Sequence, residues 1–300
     1  MSVGLLPGLA LVFNAFVWGT AWWPFRHLQG HGLHPLWATA IVFTLASLVI
    51  VAARPRSIRQ VLTTPALWTL VAAAGVTNAS FNWAVTIGDV VRVVLLFYLM
   101  PLWTVVLARV MLHERLTPAG WLRIALGIAG AIVVLWPPGS SEGSAHGEGW
   151  LGPLSLADAL GVIGGFSFAF NNVMLRREAH RPEEGRALAM FLGGAIVATT
   201  LAVLLTSTGR APAPPAFAAA WAWPLAGLTL LVLAGNLALQ YGAARLPANR
   251  TSVVMLTEVL FASASAIALG AGTLTARAAI GGSLIIAGAL LAAVHPGSRR

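Results

Sequence analysis

GDVVRVVLLFYLMPLWTVVLARVMLHERLTPAGWLRIALGIAGA, Gly88 to Ala131, decides the fold. It reads as two apolar helices, each long enough to cross a bilayer, joined by the short charged turn His113-Glu114-Arg115. A faded copy begins 158 residues later, LPANRTSVVMLTEVLFASASAIALGAGTLTARAAIGGSLIIAGA, Leu246 to Ala289. At that offset Asn78 falls on Asn236, Arg92 on Arg250, and Leu116-Thr117 on Leu274-Thr275. Ile128 to Ala131 fall on Ile286 to Ala289. Only 11 of 54 positions over 78–131 are identical, but the matching polar residues punctuate matching apolar runs. A repeat of this length in a lipid-embedded chain is the pattern of a transporter built from two halves.

Composition sets the solvent. The 300 residues are 58% hydrophobic and 9% charged, against roughly 25% charged in a soluble domain. That much apolar surface cannot be hidden inside one globule, so lipid must cover it. The net charge of +9 comes from 18 basic residues, all Arg, scattered between apolar runs rather than gathered in a stripe; nucleic acid is not an expected partner. With no Cys, disulfides, thiolate metal sites and Cys nucleophiles are excluded. The opening MSVGLLPGLALVFNAFVWGTAWW lacks a basic n-region and reads as a retained first helix.

Apolar runs of about 17–25 residues predict ten spans, near 5–25, 35–53, 66–87, 92–112, 119–137, 152–175, 187–206, 218–242, 250–271 and 276–294. The polar segment GSSEGSAHGEG, Gly139 to Gly149, falls at the midpoint. It divides the chain into a first five-helix repeat (1–138), a flexible linker (139–151) and a second repeat (152–300). With the N-terminus inside, 14 arginines lie on the inner side and four on the outer: Arg26, Arg92, Arg210 and Arg277. The positive-inside rule therefore puts both termini in the cytoplasm. Five spans per half is an odd number, so the halves are expected to be inverted.

Tyr98-Leu99-Met100-Pro101-Leu102-Trp103, then Ala108-Arg109 and His113-Glu114-Arg115-Leu116-Thr117, resemble the first repeat of the EamA family of the drug/metabolite transporter superfamily. Trp18-Gly19-Thr20 suits the family's first span, and Leu256-Thr257-Glu258-Val259 resembles the Glu-Pro signature of its second repeat. The FYLMPLW stretch looks most like the YddG-type exporters of aromatic amino acids. Met100 stands where their Trp would be, Val259 where the second-repeat Pro would be, and Gly272 where an acid would match Glu114. The resemblance implies ten helices in two inverted repeats, with spans 1, 3, 4, 6, 8 and 9 around a central cavity and spans 5 and 10 outside it.

Glu258 is the one acid well inside an apolar run of the ninth span. An ionised carboxylate there costs about 2.5–3.5 kcal/mol, so it needs a partner, water or a proton. It is a candidate for a substrate ammonium or for proton coupling; its structural alternative is helix packing or pairing near Arg250. Asn78 and Asn82 share a helical face flanked by Phe81 and Trp83, and Asn236 and Gln240 repeat the spacing with Tyr241 alongside. Their amides could hold a zwitterion without a charge of their own, or only bond neighbouring helices. Trp18, Trp22, Tyr98, Phe166 and Phe170 could stack on a substrate, or anchor and pack. Pro101 is expected to kink the fourth span, and Glu114 with Arg115 to form a cytoplasmic turn ion pair; these three are the hinge and gate candidates. Asp158 is expected at the outer interface, and Gly161 and Gly165 at a close helix approach. His27, His31 and His34 lack an acid to complete a metal set, and no nucleotide-binding or catalytic constellation appears, so neither cofactor nor enzyme activity is expected.

These readings converge on a multi-pass inner-membrane secondary transporter, monomeric or homodimeric. It would export amino acids, aromatic ones included, or related amphipathic solutes by alternating access. The alternatives are a multidrug or organic-cation exporter of the same fold and a non-transporting scaffold or sensor.

Overall fold

The computed structural model describes residues 5–111, 118–135, 155–178, 180–216, 218–243, 245, 254–255 and 257–294. Every regular element among them is helical: α1 (Leu5–Thr20), α2 (Trp22–Gly30), α3 (Pro35–Ala53), α4 (Arg56–Thr63), α5 (Pro65–Ile87), α6 (Val90–Phe97) and α7 (Met100–Met111). Then follow α8 (Pro118–Leu135), α9 (Leu156–Arg177), α10 (Glu183–Ser207), α11 (Ala219–Ala243), α12 (Thr257–Ala268) and α13 (Ala276–Val294). Glu114, Arg115, Arg250 and the 139–151 linker lie outside the described residues.

Helix is the form in which an apolar run can satisfy its own backbone in lipid, and the chain supplies start signals where water resumes. Pro35 and Pro65 open α3 and α5, where a missing N–H costs nothing. The Asp89 carboxylate caps α6 by accepting from the Arg92 N–H at 2.9 Å. His34 caps α3, its Nδ1 accepting from the Leu36 N–H at 3.3 Å.

Seven helical stretches are long and apolar enough to cross a membrane: 5–30, 35–53, 65–87, 90–111, 156–175, 183–207 and 219–239. Three shorter apolar helices, 120–134, 257–268 and 276–288, lie at the fifth, ninth and tenth expected spans. The sequence pattern missed α4, because an eight-residue helix between Pro55 and Pro65 has no long apolar run to reveal it.

Helix α5 is the axis of the assembly. It is 72% buried, against 28% for the eighth span, and packs along both α9 and α10. Around it α3 lies on α10, α1 on α11 and α12, α6 and α7 on α9, and α8 on α13. Large apolar side chains such as Leu9, Phe13, Phe16, Leu48, Leu204 and Leu237 point outward, as a lipid solvent requires. Where backbones approach most closely the residue is glycine: a Cβ on Gly19 would sit 2.8 Å from the Glu258 carbonyl of α12. A Cβ on Gly165 would likewise run into the Phe97 carbonyl, which is the close approach that Gly161 and Gly165 predicted.

The fourth span is not a bent helix but two helices. The break falls at Tyr98-Leu99, before Pro101 rather than at it. Proline pushes the preceding backbone away from helical geometry and is well tolerated in a first turn, so α7 starts just ahead of it and α6 ends.

Candidate functional site

The break presents Tyr98 to the second half of the chain. Tyr98 is 2% exposed, and its hydroxyl lies 3.1 Å from the Met255 carbonyl and 3.2 Å from Glu258 Oε2. Glu258 sits in the first turn of α12 and is 8% exposed; its neighbour Val259 belongs to the buried cluster that holds Trp22, Phe81, Phe97, Tyr98 and Ala262. A phenol between a carbonyl and a carboxylate serves both protonation states. When Glu258 is ionised, Tyr98 donates to it; when Glu258 carries a proton, it can donate to Tyr98 while Tyr98 donates to Met255. The carboxyl can therefore gain or lose a proton without rearranging its partners.

Three of the sequence candidates, Trp22, Phe81 and Tyr98, belong to one buried cluster, and Tyr98 bonds a fourth, Glu258. The Trp22 indole N–H donates to Ser265 Oγ at 2.9 Å, pinning α2 to α12, and the Arg26 guanidinium lies 5.4 Å from its ring. Phe81 packs on Phe97 at 4.7 Å between centroids, and Phe97 in turn on Phe168 at 5.5 Å. Phe168 went unremarked in the sequence; Phe166, two residues earlier, is 43% exposed and meets the Trp103 ring edge-on at 5.6 Å. The signal that separates them is the helical face on which Gly161 and Gly165 lie.

The remaining candidates lie elsewhere. Trp18 packs beside Phe25, Phe43 and Leu228, Trp83 meets His34 edge-on, and Phe170 joins Leu67, Met174 and Leu188. Asn78 donates to its own helix at Ala74 O, 2.8 Å, and Asn236 does the same to Val232 O, 2.8 Å. Asn82, fully enclosed, donates to Thr39 Oγ1 at 3.2 Å. Tyr241 lies under the Arg245 guanidinium, 3.8 Å from its ring centroid. Gln240 falls within α11, but its side chain is outside the described set, as is that of Pro101.

Two residues that sequence reasoning kept apart, Arg92 and Asp158, form an ion pair between distant parts of the chain. Arg92 on α6 clasps Asp158 on α9 with two bonds of 2.7 and 3.0 Å, and also donates to Val134 O at 3.2 Å. Nearby, Asp89 accepts from the Thr273 backbone N–H at 2.8 Å. Arg92 and Asp158 are 66 residues apart with no local pattern joining them, so only the packing of α6 on α9 reveals the pair. Among the described residues no group of His, Asp and Glu is arranged to hold a metal.

The profile of the EamA-like transporter family matches residues 6–136. This chain carries an EamA domain. That domain runs from α1 through α8 and includes Trp22, Phe81 and Tyr98, whereas Glu258 lies beyond it; the Tyr98–Glu258 bond ties the EamA domain to the remainder of the chain. An uncharacterised transporter of Pseudomonas aeruginosa is 35% identical over 86 residues, a match spanning 27% of this chain and 29% of that relative's length. A solved crystal structure, described only as that of a protein, superposes with a TM-score of 0.59 at 18% identity, covering 95% of this chain and 96% of the other. At that identity the likeness concerns the fold alone. With its EamA domain and seven spanning-length apolar helices, this is a multi-pass membrane protein, a placement consistent with an inner membrane.

Proposed function

We propose that the chain is a secondary transporter that exports small metabolites across the inner membrane by alternating access. The three short apolar helices bring the spans to ten, arranged as two inverted five-helix repeats with both termini in the cytoplasm. Its substrates are amino acids, aromatic ones included, or related amphipathic solutes. The observation that carries this reading is the Tyr98–Glu258 bond at the Tyr98-Leu99 break in the fourth span. Discontinuous spans near mid-membrane are where such folds bind substrate, because ends of half-helices leave polar groups free for it. A lone enclosed carboxylate supplies a counter-charge for an ammonium group or a seat for a proton, and Phe81, Phe97 and Phe168 supply an apolar surface beside it.

In this cycle a substrate ammonium displaces the Tyr98 hydroxyl from Glu258, loosening the contact between halves. Tyr98 keeps Met255 O as its acceptor, so no buried donor is stranded. Release on the far side restores the bond. The same carboxylate beside aromatic faces would also suit an organic cation, and a panel of labelled amino acids and organic cations in proteoliposomes decides between the two. Amino-acid flux that Glu258→Gln lowers by about tenfold or more, with the variant still folded, is the expected result. Undiminished flux through that variant would remove Glu258 from the mechanism, and no flux for any compound would favour the scaffold.

A further inference from the structure

The eight-residue helix α4 stands between the second and third spans and is used by nothing in the transport cycle. At 100° per residue, its sequence RSIRQVLT divides into three edges. Ser57 and Val61, 0% and 1% exposed, dock on the protein, where Val61 joins Leu67, Leu188 and Ala189. Ile58 and Leu62, one turn apart, are 44% and 66% exposed. Arg56 and Arg59 are exposed on the third edge. A helix with one edge docked, one apolar edge open and one basic edge has the make-up of an element lying in the membrane interface.

At its seam with α10 one buried polar atom, Gln60 Oε1, has no partner among the described residues. The Gln60 carboxamide lies against the first turn of α10, 2.7 Å from where a Cβ on Gly185 would be. Two glutamates adjoin the seam. Glu184 is engaged by Arg54 at 3.9 Å and Glu183 is exposed, so Arg54, Arg56 and Arg59 stand beside two acids.

We propose that α4 binds the headgroup of an anionic glycerophospholipid. Arg56 and Arg59 face its phosphate, and Ile58 and Leu62 enter the acyl region. The basic edge draws an anionic headgroup to the interface, which a zwitterionic choline lipid does not match. The site is independent of the substrate reading and stands or falls without it.

The test is titration of the purified full chain in neutral detergent with phosphatidylglycerol, phosphatidylcholine or inorganic phosphate, read by native mass spectrometry and thermal unfolding. Phosphatidylglycerol is expected to stay bound and to raise the melting temperature, as a ligand of the folded state does. The Arg56→Gln/Arg59→Gln variant is expected to keep its helicity and bind about 30-fold more weakly, at about 1 kcal/mol per basic residue near an anionic surface. Arg59→Gln alone is expected to weaken binding about fivefold by the same measure, and it decides the matter should the double variant not fold. Equal binding of phosphatidylcholine, an equal effect of phosphate alone, or unchanged binding by the arginine variants would overturn the proposal.

Discussion

Asn78 and Asn236 match in the internal repeat, and the structure gives them the same occupation: each bonds a carbonyl four residues back on its own helix. Tyr98 and Glu258 do not match. The 158-residue offset puts Glu258 opposite Met100 and Tyr98 opposite Leu256. Yet these two meet across the halves, while the matched asparagines do not. What the repeat preserves here is helix architecture; the chemistry sits where the copies have diverged. On the proposed reading, the matched positions build a scaffold, and the unmatched pair builds a site that can treat one charge differently from another.

Substitutions can break or sharpen that contrast. The largest effect belongs to Glu258→Gln, with flux expected to fall by about tenfold or more while thermal unfolding stays close to that of the parent. Next is Gly19→Ala, which drives a methyl toward the Glu258 carbonyl and Phe261 Cβ, both 2.8 Å away. Overpacking of this kind costs about 1–3 kcal/mol, so both melting temperature and flux should drop. Tyr98→Phe keeps the ring and removes the shared hydroxyl. A stability loss of about 1 kcal/mol is expected, with a changed pH profile of transport because protonated Glu258 loses its acceptor. If that profile is unaltered, the phenol is packing only.

Smaller still are Asn78→Ala and Asn236→Ala, each expected to cost about 0.6 kcal/mol or less and to leave flux intact. A transport defect in either would put the matched pair back among the substrate contacts. The weakest expected effect concerns His34, outside the spans, where burial holds the imidazole below its ordinary value of 6.5. Folding thus favours the neutral ring, whose Nδ1 lone pair caps α3, so its stabilisation is present above pH 6.5 and fades as pH falls through the lowered value. A slight decline in melting temperature on acidification, absent from His34→Asn, is the check.

Most of the helices were legible because lipid imposes a length and an apolar composition that a single chain displays openly. The second predicted span, 35–53, coincides with α3, and most of the others differ from their helices by a few residues. Glu258 was legible for the same reason, as a charge where charge is costly. Partnerships were not. Nothing near Tyr98 announces Glu258, 160 residues away, and nothing near Trp22 announces Ser265. Asn82 and Asn78 shared a predicted face, but one donates to Thr39 and the other to its own backbone, a choice made by the neighbouring helix rather than by spacing. The site of the break was half legible: Pro101 marked the region, and the steric demand on the residues before it moved the interruption to Tyr98-Leu99.

That interruption has a consequence for how the chain is made. Helix α6 has eight residues, about 12 Å at 1.5 Å per residue, well short of a hydrocarbon layer about 30 Å thick. Neither it nor the twelve-residue α7 can be handed to the bilayer alone. During synthesis the two must therefore partition together, and the Phe97 carbonyl at their junction meets its packing neighbour Gly165 only once α9 is in place. Because α9 follows the midpoint linker, the first half reaches its final form only after part of the second has left the ribosome.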